Sequence, residues 1–386
     1  MNRKPIDIKL KNISFVVATH KFATGPSDAL VDFLLSLRVP TLLYITHTFH
    51  YSPERRSSAT FYKYGRLVKE IRGINFRAPD LIAYIKDLAF TIFYVLYFRR
   101  RYHIYVGVDL LNALAGLILR AFGIVDIVIF YTIDYIPRRF SNYFLNSLYH
   151  TLDKLCVEKS NFTWNLSAIM AEARKRRGIK KINQLVVPMG GGVTVNFEDN
   201  FERNTMIFVG NLRRGQGLEL VIKSFPKIVK EIPDAKLIII GTGPILRELK
   251  ELVDKLGLNK HIRFTGYMRD HELIRKLVSK AALGIAMYEP NKDNFTWFAD
   301  PGKIKLYLVS GIPVITTKVP PIAKEIQNYK AGAVIEYNEE AFANTVISLL
   351  KDDNEYYEMR SNAQKLGSKY LWPSIFRSAL EPVFII

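Results

Sequence analysis

In the second half of the chain, glycines and cations recur wherever an apolar run gives way to a helix-period segment. After Val209 comes Gly210-Asn211-Leu212-Arg213-Arg214-Gly215-Gln216-Gly217. Glycine lets backbone N–H groups approach a phosphate without a Cβ in the way, and Arg213 and Arg214 add charge-assisted donors. Gly241-Thr242-Gly243 follows the next run. A dinucleotide fingerprint would need a third glycine at 246, where the chain has Leu246. Gly266-Tyr267-Met268 then suits the wall of a base pocket, a plain turn being the alternative. The sharpest pattern is Asp300-Pro301-Gly302-Lys303-Ile304-Lys305-Leu306-Tyr307. Asp300 is an N-cap type and Pro301 suits the first helical position. Such a helix start offers about half a positive charge and free N–H groups to a diphosphate. Lys303 falls in the first turn, beside the anion. Lys305 falls on another face, toward solvent.

The first half offers acid–base groups. The loop Thr19 to Ser27 holds His20, Lys21, Thr24, Gly25 and Pro26 after a first strand, and Asp134 follows the run Val125 to Tyr131. A carboxylate at a strand's carboxyl end accepts a proton or orients a hydroxyl, helix capping being the alternative. His47 and His50 are further candidates. The run Arg174-Lys175-Arg176-Arg177 suits phosphate or lipid headgroups, or a solvated helix end. There is no Asp-x-Asp motif and no His/carboxylate cluster with metal spacing, so no metal is expected.

These residues must be carried by alternating strands and helices. Ile13–Ala18, Thr41–Ile45, Tyr102–Val108 and Ile124–Tyr131 read as strands of one α/β unit. Met206–Val209, Lys236–Ile240, Ile262–Thr265, Leu283–Met287 and Pro313–Thr316 alternate with helices in a second. Gly257 and Gly311 suit helix exits. The sequence turns polar at about Gly191 to Asn204, where a linker is expected. Two such units imply a cleft, with ligands outside the carboxyl ends of the strands.

With 386 residues, 49% apolar and 24% charged, the chain has globular proportions; disorder, collagen and coiled coil are excluded. The single cysteine, Cys156, excludes an intrachain disulfide and suggests a reducing compartment. The net charge of +19 favours an anionic partner. It is concentrated in residues 1–190, where 28 Lys/Arg face 13 Asp/Glu. Phe15, Phe130 and Tyr131 sit inside apolar runs rather than between basic residues, which argues against nucleic acid. Met1–Asn12 lacks an apolar export core, and Leu88–Phe98 is too short to span a bilayer. Followed by Arg99-Arg100-Arg101, that run reads either as an interfacial anchor or as a core helix with a basic exit. The expectation is a cytoplasmic chain, peripheral on the inner face of the cell membrane.

From Met206 to Leu350, and more loosely through the first half, the sequence resembles the retaining, nucleotide-sugar-dependent glycosyltransferases of the GT-B fold (family 4, group 1 type). The carriers are FVGNLRRGQGLELVIKSF, KLIIIGTGP, HIRFTGY and DPGKIKLYLVSGIPVITT. The resemblance implies an α/β fold of two doubly wound Rossmann-like domains facing across a cleft. Residues 1–195 would form the acceptor domain and 196–368 the donor domain, with a closing helix in 369–386 around Trp372. It implies transfer of a sugar from a UDP- or GDP-sugar to a hydroxyl of a glycan or lipid-linked glycan, with retention and without cofactor or metal. Gly25, Pro26, Gly210, Asn211, Arg213, Arg214, Gly241, Gly243, Tyr267, Asp300, Pro301, Gly302, Lys303 and Tyr307 would bind the donor. His20, Thr24 and His47 would bind the acceptor, and Asp134 would be catalytic. Three positions depart from the family: Leu306 stands where a ribose-holding Glu is frequent, and Asn211 and Gln216 where many members have Arg and Lys. Weight therefore falls on Arg213, Arg214 and Lys303 for the diphosphate. A catalytically silent nucleotide- or glycan-binding scaffold is the alternative.

Overall fold

Runs such as Phe15–Ala18 and Leu237–Ile240 lack polar alternation, and each forms a strand of a parallel sheet covered by helices. The computed structural model describes residues 5–21, 25–49, 56–73, 79–98, 101–133, 135, 138–179, 183–195, 197, 199–291, 295–297 and 300–385. The chain divides into two units, Met1–Pro188 with Ile375–Ile386, and Met189–Ser374.

The first unit runs α1 (Pro5–Leu10), β1 (Ser14–Lys21), α2 (Pro26–Ser36), β2 (Thr41–Thr48), β3 (Ser58–Lys63), β4 (Arg66–Arg72), α3 (Asp80–Tyr97), β5 (Tyr102–Val108), α4 (Leu110–Ala121), β6 (Val125–Thr132), α5 (Tyr143–Lys159), β7 (Phe162–Asn165), α6 (Ala168–Arg176) and β8 (Gln184–Val186). Among the described residues its strands order as β4-β3-β2-β1-β5-β6-β7-β8. All pair in parallel except β2–β3 and β3–β4. The order reverses at β1, so the crevice for a ligand lies at the carboxyl ends of β1 and β5.

The second unit runs β9 (Glu202–Val209), α7 (Leu218–Glu231), β10 (Lys236–Ile240), α8 (Leu246–Lys255), β11 (Ile262–Gly266), α9 (His271–Ser279), β12 (Ala281–Ala286), α10 (Gly302–Val309), β13 (Val314–Thr316), α11 (Ala323–Tyr329), β14 (Gly332–Val334), α12 (Glu339–Lys351), α13 (Asp353–Gly367) and the start of α14 (Trp372–Leu380). Its all-parallel sheet orders as β11-β10-β9-β12-β13-β14 and reverses at β9. The expected alternation is therefore present in both halves.

Strands β3, β4, β7 and β14 escape the strand reading. The β3–β4 hairpin is antiparallel and turns through Tyr64 and Gly65, both at positive φ (48° and 79°), which suits the right-handed twist of a tight hairpin. Strand β4 is polar and exposed along most of its length, so it carries no apolar signal. The boundary between units falls at Pro188/Met189, ahead of the polar stretch. Residues 189–192 are tied into the second unit: Met189 N–H donates to Asp300 (2.7 Å) and Gly191 N–H to the Tyr370 carbonyl (2.9 Å). The second half of α14 packs in the first unit, where Arg377 forms a two-point ion pair with Asp7 (2.8 and 3.1 Å) and Phe376 meets Phe33. Cys156 is fully buried on α5, and burial pushes its thiol up to about 12.

Candidate functional site

At the reversal point of the second sheet, the end of β9 meets the first turn of α10. Lys303 reaches from that turn to the glycine-rich loop, its Nζ donating to Gln216 Oε1 at 2.8 Å. The ammonium lies 3.8 Å from the ring centroid of Phe208 on β9 and 5.5 Å from that of Tyr288 beyond β12. A Cβ on Gly210 would come within 3.0 Å of the same nitrogen, so glycine is what admits Lys303 there. Burial, and then the charge of Arg213, push its pKa down to about 7. Two cations set together at a strand end repel, and an anion relieves that repulsion. The cation expected from position 216 is supplied from α10 instead.

The glycines serve close approach more than anion binding. A Cβ on Gly241 (φ 138°) would sit 1.9 Å from the Gly210 carbonyl, and one on Gly243 would sit 2.2 Å from the Leu212 carbonyl. The N–H groups of Gly210, Gly241 and Leu212 donate to Ile240, Gly266 and Thr242. These three amides of the expected cradle are thus spent within the backbone. Gly241→Ala is expected to destabilise the second unit by about 2 kcal/mol or more, through backbone strain and overlap. Urea unfolding checks this.

Other expected donor residues sit elsewhere. Arg214 pairs with Glu219 (3.1 Å) and Glu248 (2.6 Å) on the surface, beside a cavity of about 940 Å³. That cavity is lined by Glu219, Glu289, Glu339 and Glu340 against Arg214 and Lys223, an acid-rich wall that disfavours a diphosphate. Asp300 does not cap α10; Pro301 holds that place. The buried Asp300 carboxylate instead takes the Met189 N–H and the ammonium of Lys305, which lies in the interior beside the Tyr370 ring rather than in solvent. Gly302 opens α10 beside Met189. Tyr307 is fully buried; its hydroxyl accepts from Val209 N–H (2.8 Å) and donates to the Ile285 carbonyl (3.3 Å), so it braces β9 against β12. Tyr267 is 69% exposed after Gly266 at the sheet edge.

At the reversal point of the first sheet, His20, next to last in β1, lies between two carboxylates. Its Nδ1 lies 2.7 Å from Asp109 Oδ2 and its Nε2 3.2 Å from Asp87 Oδ2. Burial alone would lower its pKa. The charge and hydrogen bond of Asp109, then those of Asp87, outweigh burial and hold it at about 10. His20 is therefore an imidazolium at neutral pH and cannot act as a base. Its neighbour His47 is fully buried, with Nδ1 at 2.8 Å from Ser57 Oγ and Nε2 at 2.7 Å from Thr91 Oγ1. Burial lowers its pKa. Both histidines, expected to face an acceptor, have their ring nitrogens committed within the unit and act as braces.

Asp109 is the residue that sequence reading passed over. It caps α4 from a left-handed backbone (φ 81°), an uncommon and strained place for a side chain. Five donors fix its carboxylate: Leu111 N–H and Asn112 N–H on Oδ1, and His20 N–H, His20 Nδ1 and the Asn112 amide on Oδ2. Burial opposes the charge, but His20 and these bonds draw its pKa down. Its side chain is 31% exposed, against 5% for His20 and Asp87, so the buried network reaches solvent through Asp109. The signal was the Asp that follows the strand Tyr102–Val108 and opens a helical run.

Gly25 and Pro26 start α2, where the Gly25 N–H donates to Asp28 (3.0 Å), whose charge Lys21 meets at 2.5 Å. That helix start is occupied by its own carboxylate. Arg174, read as a headgroup binder or solvated end, is fully buried on Asp153 (2.6 and 2.8 Å) and Thr132 (3.1 Å). Thr24, His50 and Asp134 lie outside the described residues.

Residues 203–352 match the family described as Glycosyl transferases group 1. Over 97% of this chain and 100% of the other, the fold superposes on the Anabaena protein HepE, solved in complex with UDP, with a TM-score of 0.69 at 13% identity. The chain has the GT-B fold, and the group 1 match lies within its second unit. Curated relatives of this GT-B protein include a Bacillus subtilis poly(glycerol-phosphate) alpha-glucosyltransferase, 29% identical over 176 residues, and a Bacillus anthracis N-acetyl-alpha-D-glucosaminyl L-malate synthase, 28% identical over 162. The matches cover 45% and 42% of the GT-B chain but only 24% and 39% of those relatives.

Proposed function

We propose that this GT-B protein transfers a glycosyl group from a nucleoside diphosphate sugar to a hydroxyl acceptor. The observation that carries the reading is Lys303, set with Arg213 at the reversal point of the second sheet, beside the α10 N-terminus. A diphosphate that departs from the anomeric carbon gains charge, and a preplaced ammonium stabilises that charge most when it is fully developed. The relatives' names and the UDP complex of a fold neighbour support a nucleotide-sugar donor. The resemblance to the retaining family supports retention of configuration.

The acceptor falls to the first unit. Asp109 offers a carboxylate fixed at the end of β5, suited to accept a hydrogen bond from an acceptor hydroxyl. Asp134, two positions beyond β6, is assigned the orienting of that hydroxyl. His20 and His47 hold Asp109 and Asp87 in place.

A thermal-shift panel of UDP- and GDP-sugars tests the reading. A donor at 100 times its dissociation constant stabilises by about 2.7 kcal/mol, roughly 5–10 °C for a unit of this size. No shift with any nucleotide sugar rejects it. A shift without transfer to any hydroxyl acceptor leaves a binding scaffold, as Asn211, Gln216 and Leu306 would allow.

A further inference from the structure

Helix α3 has two apolar faces and uses only one of them in the core. On the inner face Asp87 and Thr91 bond His20 and His47, while Tyr94 and Val95 pack among core residues. On the outer face Ile82, Ile85, Ala89, Phe93, Leu96 and Tyr97 recur every three or four residues and are exposed, Ile85 by 59% and Phe93 by 55%. A helix on the surface of a soluble domain normally turns charged residues outward. The edge strand β4 adds exposed Leu67.

The surroundings of this stripe are basic. From Arg56 to Arg101 the sequence has ten Lys/Arg and three Asp/Glu. Lys69 of β4 reaches the helix, its ammonium 2.7 Å from the Tyr97 hydroxyl and 4.9 Å from the ring centroid. This puts a cation at the rim of the apolar stripe. A helix with rings and aliphatics outward and cations at its rim matches the boundary between acyl chains and anionic headgroups. A second copy of the same face would set two strongly positive surfaces against each other. Among the described residues no helix is long and apolar enough to cross a membrane, which fits docking rather than spanning.

We propose that the outer face of α3 and the edge of β4 dock on an anionic phospholipid bilayer. Ile85, Phe93, Leu96 and Tyr97 enter the acyl boundary, and Lys69 and its basic neighbours meet headgroup phosphates. The assignment stands apart from the glycosyl-transfer reading. It does have a geometric consequence: α3 begins at the end of the sheet where His20 and Asp109 lie, since a helix joining parallel strands runs opposite to them.

Flotation of the full chain with vesicles tests it. Binding to vesicles of phosphatidylglycerol and phosphatidylcholine is expected to exceed binding to phosphatidylcholine alone by at least tenfold. In about 1 M salt, where screening acts beyond ~3 Å, it should fall sharply. Phe93→Glu with Leu96→Glu should abolish it while the thermal melt and any donor-induced shift stay unchanged, because both side chains are exposed. Lys69→Glu should weaken it while leaving every apolar side chain of the stripe in place. Equal binding to the two vesicle types, or retention by the double variant, overturns the proposal. So does a concentration-dependent dimer that the double variant abolishes, which would give the face to a second copy.

Discussion

Replacing Lys303 with alanine is expected to lower turnover at least tenfold, a loss of about 1.4 kcal/mol or more of transition-state stabilisation. The ammonium is held by Gln216 and two ring faces, so its removal takes away a charge already in position. The pH dependence follows from its pKa of about 7 in the free protein. Below that value the site is already charged, and donor affinity should be flat. Above it the free site must take up a proton to bind the anion, so the dissociation constant should rise by up to about tenfold per pH unit. Lys303→Arg keeps the charge at all these values and should remove the slope. Titration calorimetry of nucleoside diphosphate at several pH values decides; an unchanged slope in the arginine variant discards the assignment.

The second large effect concerns the first unit. Changing His20 to Gln removes the cation between the buried Asp87, which keeps Lys86 at 3.0 Å, and the partly exposed Asp109. Breaking a buried pair in this way costs about 3–5 kcal/mol, roughly 6–20 °C in melting temperature for a unit of this size. The pKa of His20 is raised in the folded state, so its contribution is fully present below about 6.5 and is lost as pH rises through about 10. Asp87 and Asp109 are shifted down, so theirs is present at neutral pH and lost in acid. Melting curves of the native chain should fall along both limbs, whereas the Gln variant should lose the alkaline decline. An alkaline limb unchanged by the substitution sinks the argument.

Most strands were legible because fully buried parallel strands are unbroken apolar runs, and the helix exits because Gly257 and Gly311 take positive φ (68° and 71°). The glycine-marked turns were found, but the strand orders, and with them both reversal points, came only from the structure. What their glycines do was misread: sequence shows that a backbone is unencumbered, not whether another backbone fills the space, as Gly210 fills it for Gly241. Buried charges were the other blind spot. Asp153 lies 21 positions before Arg174, and Asp109 lies 89 beyond His20, so neither pair has a local pattern. Lys305 resembles any surface lysine until Asp300 is found beside it. The departure at Gln216 was visible; that Lys303 meets it was not, because the two come together only through the β9–α10 packing.

Cys156 has a practical consequence. It is the chain's one thiol, and it lies sealed between α4 and α5, where its Sγ donates to the Leu110 carbonyl at 3.8 Å. A thiol so deeply enclosed and so reluctant to ionise reacts with alkylating or disulfide reagents only when the surrounding half comes apart. Labelling rate thus becomes a built-in clock for opening events in residues 1–188, read without an introduced probe and blind to excursions confined to the other half.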